Sequence, residues 1–199
     1  MERDELELSD EYQTSETIEA LDKMKGIDIM ETTSGDIIYL LLNNSKAPTD
    51  DEHIRKALAY MLDYDVVCNQ VYPNSKKADS IISKNLLGHK KMTDYSFNIE
   101  KAKEEIAKSK YADNIQDYPI EVCWVAETPD REKLALLIQA AADQIGVKVN
   151  VVKTPWASVV EKSASAETTP NVTTTWFAGD YSEAGAIFDS ALSSKNAGT

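Results

Sequence analysis

Loops that cradle phosphates are built from glycine, and this chain has seven glycines in 199 residues, with neither a GxGxxG nor a GxxxxGK[ST] run. A GxSxG elbow is also missing, so the strained strand-to-helix turn that exposes a serine nucleophile is not encoded. There are two histidines, His53 and His89, and two cysteines, Cys68 and Cys123. With no CxxC, HExxH or EF-hand spacing, neither a dedicated metal site nor a cofactor is expected. Cys68 falls in a helix-like stretch and Cys123 in a strand-like one, so two separate buried thiols are expected rather than a disulfide. Arginine is confined to Arg3, Arg55 and Arg131, and the net charge is −13. A surface of that sign repels phosphates, which excludes nucleic acid as a partner. No apolar run approaches the roughly 18–20 residues needed to cross a bilayer. The opening residues, Met1-Glu2-Arg3-Asp4-Glu5-Leu6-Glu7, are charged where an export signal is apolar. Taken alone this implies a cytoplasmic protein, but a piece cut from a longer exported protein has the same start.

What is present is an ordinary globular profile, 42% hydrophobic and 28% charged, long enough for one well-buried core. The chain reads as a single domain over 1–199, with 1–13 frayed. Ser15 caps a first helix at 16–25, with Ile18, Leu21 and Met24 on one face and Gly26 at its end. Ile27–Met30 is a short strand candidate. Asp36–Leu42 is nearly all apolar, the pattern of a strand covered on both faces. Asp50 or Asp51 opens a helix through Asp63 whose Ile54, Ala57, Leu58 and Met61 follow the i, i+3, i+4, i+7 rule. A further short helix follows from Asp63 or Asp65. Residues 73–97 show no period, and a loop of that length is usually functional or packed against something absent.

The second half alternates regularly. Asn98 caps a helix with Ala102 and Ile106 inward and Glu104–Lys108 as an i, i+4 pair. Ile120–Ala126 is a strand, Thr128-Pro129 starts a long helix ending at Gly146, and Val147–Val152 is the next strand. Thr154-Pro155 repeats the cap-and-proline start, Val172–Phe177 is the last strand, and a helix lies around 184–193. This is the pattern of βαβ units: an α/β fold with a largely parallel sheet and helices on its faces. Ligands of such sheets sit beyond the carboxyl ends of the strands.

Few residues there carry chemistry. His53 on a polar helix face and His89 in a lysine-rich loop read as solvated, and Asp50/Asp51 as charge that complements a helix dipole. Trp176-Phe177-Ala178-Gly179-Asp180-Tyr181 follows the last strand. It would make a stacking surface with one fixed charge; the same residues would equally form an aromatic plug with Asp180 capping the next helix. Trp156 either faces the same cleft or packs.

In order along the chain, these stretches resemble the extracellular solute-binding proteins of oligopeptide, dipeptide and nickel ABC importers, family 5. Tyr39-Leu40-Leu41-Leu42-Asn43, Ala47-Pro48-Thr49-Asp50-Asp51 and Arg55-Lys56-Ala57-Leu58-Ala59-Tyr60 look like that family's hallmark. Asn98 to Tyr111, Thr128 to Val149, Lys153 to Val160 through Trp156, and Trp176 to Glu183 are similar to its later segments. The resemblance covers about residues 35 to 195.

The resemblance implies a periplasmic-binding-protein-like (type II) lobe with a mostly parallel mixed sheet, most of the C-terminal half of a two-lobe protein. It implies export, commonly a lipid anchor, ABC permease subunits and the missing N-terminal lobe as partners, and no catalysis. Asp180 matches the acid that pairs with a ligand's amino terminus, Trp156 and Trp176 match pocket aromatics, and Phe177 and Tyr181 flank them. Asp180 follows Trp176 by four positions where the family pattern has three, which puts Phe177 in the aromatic slot, and Ala184 replaces the usual proline. Ser163 and Thr173 to Thr175 stand where peptide binders carry arginine, so a sugar or another polar solute stays open beside a peptide. A small α/β hydrolase or transferase and a non-catalytic interaction domain are the competing readings.

Overall fold

The structure is a computed structural model describing residues 13–30, 36–73, 75–92, 94–177 and 183–188. Helix α1 (Ser15–Asp22) starts where the Thr14 hydroxyl accepts the Thr17 N–H, so the cap lies one residue before the expected Ser15. It buries none of its residues and is tied down by the Lys133–Glu16 ion pair at 2.7 Å. The strand expected at Ile27–Met30 is absent; this stretch is irregular. Three apolar residues interrupted by Asp28 pair with no described strand and so have no ladder to join.

Strand β1 (Ile37–Leu42) is followed by helix α2 (Glu52–Met61), capped by Asp51, which accepts the His53 N–H. Ile54, Ala57, Leu58 and Met61 are its buried residues, as their spacing predicts. Helix α3 (Tyr64–Val66), capped by Asp63, continues into a π-helical turn at Val67–Val71. Helix α4 (Ile99–Lys108) is capped by Asn98, and its acidic partner for Lys108 is Glu105 at 2.8 Å, not the expected Glu104. Strand β2 (Ile120–Val125), helix α5 (Asp130–Asp143), strand β3 (Val149–Thr154), helix α6 (Trp156–Lys162), strand β4 (Val172–Phe177) and helix α7 (Gly185–Ile187) complete the described elements. The expected helix beyond 188 lies outside the described residues.

The described strands form one mixed sheet in the order β1-β4-β2-β3. β2 runs parallel to both β3 and β4, while β1 pairs antiparallel with β4. Side chains alternate across an extended strand, so β2 serves two layers. Ile120, Val122 and Trp124 enter the main core with α2, α4 and α5, while Cys123 and Val125 meet Val159 of α6 on the other face. The expected α/β sheet with helices on both faces is what forms. β1 departs from expectation: it is an edge strand among the described strands, half-buried except for the exposed Ile38, not a strand covered on both faces. Its apolar run is explained by two partial covers. Leu40 and Leu42 pack on the main core, and an apolar cavity of about 240 Å³ lies between β1, α2 and residues 78–81.

The Ala47-Pro48-Thr49-Asp50-Asp51 turn forms a polar knot at the end of the sheet away from the carboxyl ends of β2, β3 and β4. Asn171, 2% exposed, accepts the Glu121 N–H at 3.0 Å. Its amide donates to the Ala47 carbonyl at 2.9 Å and to the Thr49 hydroxyl oxygen at 3.1 Å. Asp50 receives the Tyr111 hydroxyl and the Lys110 ammonium, and Asp51 receives the Lys110 N–H besides capping α2. These carboxylates hold the fold; both are kept below the usual Asp range by such donors, against the opposing effect of burial.

Candidate functional site

β2 and β3 end level at Val125 and Thr154, β4 runs on about two residues past them to Phe177, and antiparallel β1 begins opposite its end with Ile37. Each strand there hands over to a loop. After β2 come Glu127, Thr128 and Pro129. Thr128 was expected to cap α5, but its hydroxyl donates back to the Val125 carbonyl at 3.1 Å, and no side chain caps that helix. After β3, Thr154 is a buried strand residue and does not cap α6. The cap comes from another loop: the Trp156 N–H points at the Glu127 carboxylate, 3.1 and 3.0 Å from its two oxygens. A carboxylate at a helix start satisfies an orphan N–H and meets the positive end of the helix dipole.

This fixes the backbone of Trp156, whose indole is 50% exposed at the rim. Trp176 and Phe177 are half-buried on β4. Consecutive strand residues point to opposite faces, so Trp176 lies on the α5 side with its partner Ile38, and Phe177 on the α6 side. Phe177 stands against Tyr39, ring centroids 5.6 Å apart and tilted by 59°. Trp156, at the start of α6, and Phe177 therefore share a face, and Trp176 takes the other. Asp180 and Tyr181 lie outside the described residues.

Two rim residues are not legible as site residues from sequence. Glu127 is an exposed acid in a loop, and only the meeting of two loops makes it the anchor of Trp156. Arg131 is 4% exposed and donates from Nη1 to the Thr174 carbonyl at 3.2 Å, joining α5 to β4 just below the aromatics. Tyr72 lies beside it, its phenol pushed up to about 12 by burial, with the Arg131 charge acting in the opposite direction. The nearest sequence signal is the position of Arg131 in the first turn after a strand end.

The other singled-out residues lie elsewhere. His53 is not merely solvated: its Nδ1 sits 2.8 Å from Glu105 Oε2. Hydrogen bonds from His53 and then Lys108 hold the Glu105 carboxyl down to about 2. His89 Nε2 is 3.0 Å from Asp79 Oδ1, inside the 73–97 loop. Cys68 is half-buried and Cys123 fully buried; both are free thiols, and burial pushes the Cys123 thiol up. Among the described residues no three metal-ligating side chains of His, Cys, Asp or Glu come together.

If Glu127 anchors Trp156, Glu127→Ala costs the chain about 1 kcal/mol, as for the loss of a helix cap. The indole emission should also become more accessible to acrylamide. Urea unfolding and quenching on the same variant check this; a stability within error of the parent with unchanged quenching would dismiss Glu127 as an anchor.

Residues 4–199 match the family described as bacterial extracellular solute-binding proteins, family 5 middle. The chain is 28% identical over 175 residues to heme-binding protein A of Haemophilus influenzae, across 86% of this chain and 32% of that protein. It is 27% identical over 163 residues to the dipeptide-binding protein of Escherichia coli, across 78% of this chain and 30% of the relative. Among solved structures, the dipeptide-binding protein from Pseudoalteromonas sp. SM9913 in complex with Met-Leu aligns with a TM-score of 0.77 at 21% identity, over 89% of this chain and 35% of that one. NikA from Staphylococcus aureus in complex with Ni(L-His)2 aligns with a TM-score of 0.79 at 16% identity, over 92% of this chain and 39% of its own length. The chain thus spans about a third of the length of the curated relatives it matches. With the match running through nearly every residue, the chain belongs to the family 5 bacterial extracellular solute-binding proteins.

Proposed function

We propose that this chain is most of the C-terminal lobe of a two-lobe, extracytoplasmic substrate-binding component of an ABC importer. It captures a peptide or a similar polar solute against the rim described above and catalyses no reaction. The observation that carries this reading is the half-exposed Trp156 indole, held at the strand ends by Glu127. A large aromatic kept rigid and left open to solvent is a stacking surface in want of a partner. Phe177 lies on the same face, Trp176 on the other; Asp180 and Tyr181 follow next in the chain and supply the charge and a third ring. Relatives named for dipeptides and heme, and the neighbour holding a nickel–histidine complex, fit a scaffold whose rim is retuned between solutes.

The physical logic is that of a closing cleft. Excluding water strengthens an ammonium–carboxylate pair, and aromatic walls add area and stacking. Backbone groups supply most of the remaining recognition and tolerate varied side chains. A mature protein of this kind works outside the cytoplasm, handing its cargo to ABC permease subunits; a lipid anchor fits the same role.

One lobe offers only half the contacts. Calorimetry with a panel of free-amine di- and tripeptides should therefore give dissociation constants no tighter than about 1 mM for this chain alone, and far tighter ones for the two-lobe protein. Micromolar binding by the lone chain would overturn the two-lobe reading.

A further inference from the structure

The core face of β1 is not filled. Ile38, Leu40 and Leu42 alternate onto the side of the sheet that carries α2 and α5. Between them and α2 lies the apolar cavity of about 240 Å³. Leu58, Ile138 and Val172, each no more than 4% exposed, form its floor, and residues 78–81 cover its other side. Two wall positions, Ala59 on α2 and Ala78 in the covering stretch, carry only a methyl group, so the space beside them stays open. The lining residues exposed to solvent are Ile38, Ala78 and Ile81. That puts the mouth at the edge of β1, beside residues 78–81.

The polar side chains of the wall are already engaged. The Tyr39 hydroxyl donates to the Ile81 carbonyl at 2.8 Å, the Tyr64 hydroxyl donates to the Ala59 carbonyl at 3.0 Å, and the Ser80 hydroxyl accepts the Ile82 N–H at 3.2 Å. The first of these bonds pins the covering stretch to β1. A water molecule needs two to four polar partners to settle in a cavity, and these groups are committed elsewhere. Protein cores leave few voids of this size, because wall atoms without neighbours forfeit their dispersion contacts. A space that is apolar, walled by packed side chains and open at one end suits a guest that restores those contacts.

We infer that this cavity is a binding site for a compact apolar molecule, aromatic or branched, that enters at the edge of β1. Its size bounds the guest. An apolar cavity of about 150 Å³ admits benzene, so about 240 Å³ takes up to about ten heavy atoms. Its chemistry selects the guest. A molecule with a hydroxyl has to bury it among groups that already have partners, which costs it affinity. The site is separate from the aromatic rim, since its lining includes none of Trp156, Trp176 and Phe177. It therefore stands independently of the peptide role proposed above.

The test compares toluene with phenol, which matches it in size and shape but carries a hydroxyl, on this chain and on the two-lobe protein. In methyl carbon–proton spectra, toluene should move the signals of Leu40, Leu58 and Ile138 saturably, with a dissociation constant of about 1 mM or tighter. Phenol should bind there at least about tenfold more weakly. Ala59→Leu fills the space and should abolish the toluene shifts in a chain that still unfolds cooperatively. Ala78→Leu fills it from the covering stretch and serves if the α2 variant does not fold. No shift at these methyls, equal binding of phenol, or toluene shifts that survive in a folded filled variant would overturn the site. Shifts confined to Val160, which shares the exposed side of α6 with Trp156, would mean that toluene only stacks at the rim, and would overturn it too. Binding by this chain but not by the two-lobe protein would mean that the rest of the protein fills the cavity, and the ligand site would fall.

Discussion

In the two-lobe protein, Asp180→Ala should weaken capture of a free-amine peptide by about 2–5 kcal/mol, the cost of leaving one partner of an enclosed charge pair alone. The size follows from enclosure. In open water an ammonium and a carboxylate gain little from each other, whereas between closed lobes both have lost their hydration and depend on the pair. Asp180→Asn should recover only part of the loss, since an amide accepts a hydrogen bond without the charge. Titration calorimetry with one tight-binding peptide and its N-acetyl form distinguishes the outcomes. An affinity unchanged by either substitution would mean that Asp180 caps the following helix and recognises nothing. Tryptophan emission adds a second channel, because Trp124 is buried at 3% exposure while Trp156 is half open; solute capture should shift the emission of the open indole.

Asn171→Ala should lower the stability of this chain by about 3 kcal/mol. The asparagine binds three groups at once: the Glu121 N–H, the Ala47 carbonyl and the Thr49 hydroxyl. Truncation takes a partner from the Thr49 hydroxyl, on a residue 0% exposed, and from the partly buried Glu121 N–H and Ala47 carbonyl, and each buried group left without its partner costs about 1–3 kcal/mol. The full sum is not expected, because Thr49 keeps its own hydrogen bonds to the Asn43 and Lys46 carbonyls. Asn171→Asp keeps the acceptor for the Glu121 N–H but turns a carboxylate oxygen toward the Ala47 carbonyl and the Thr49 hydroxyl oxygen, and should destabilise at least as much as Asn171→Ala. Urea unfolding with a constant slope and a lowered midpoint is the expected record. A change within about 0.5 kcal/mol would place the knot among the surface features that single substitutions barely disturb.

Much of this fold is legible in the sequence because its elements bury one face. The α2 stripe of Ile54, Ala57, Leu58 and Met61 follows from periodicity, and the full extent of β4 from its run of β-branched and aromatic residues. The caps Asp51, Asp63 and Asn98 are local chemistry, one side chain satisfying an N–H two or three residues on. The misses share a cause: each depends on a partner distant in sequence. Thr154 looks like a cap until β3 takes it and Glu127 takes its place. β1 looks like an inner strand, and nothing local reveals that β4 pairs it antiparallel and leaves it at the edge. At the candidate site, Trp156 could be singled out as an aromatic just past a strand end. Glu127 and Arg131 could not, because their roles exist only where the β2–α5 loop meets α6 and β4. The contacts of the 73–97 segment were hidden for the same reason: they run to Tyr39 and Ala184, far away on either side.

The pairing of β1 with β4, Ile37 opposite Phe177, also constrains the order in which the protein can assemble. A ribosome delivers β1 about 130 residues before β4 (Leu42 to Val172), so the apolar edge of β1 must wait for all the intervening chain before its neighbour exists. Contacts so distant along the chain close slowly. Until then an unpaired hydrophobic strand is an invitation to wrong partners, and a nascent chain of this design gains from any escort that shields β1 until β4 arrives.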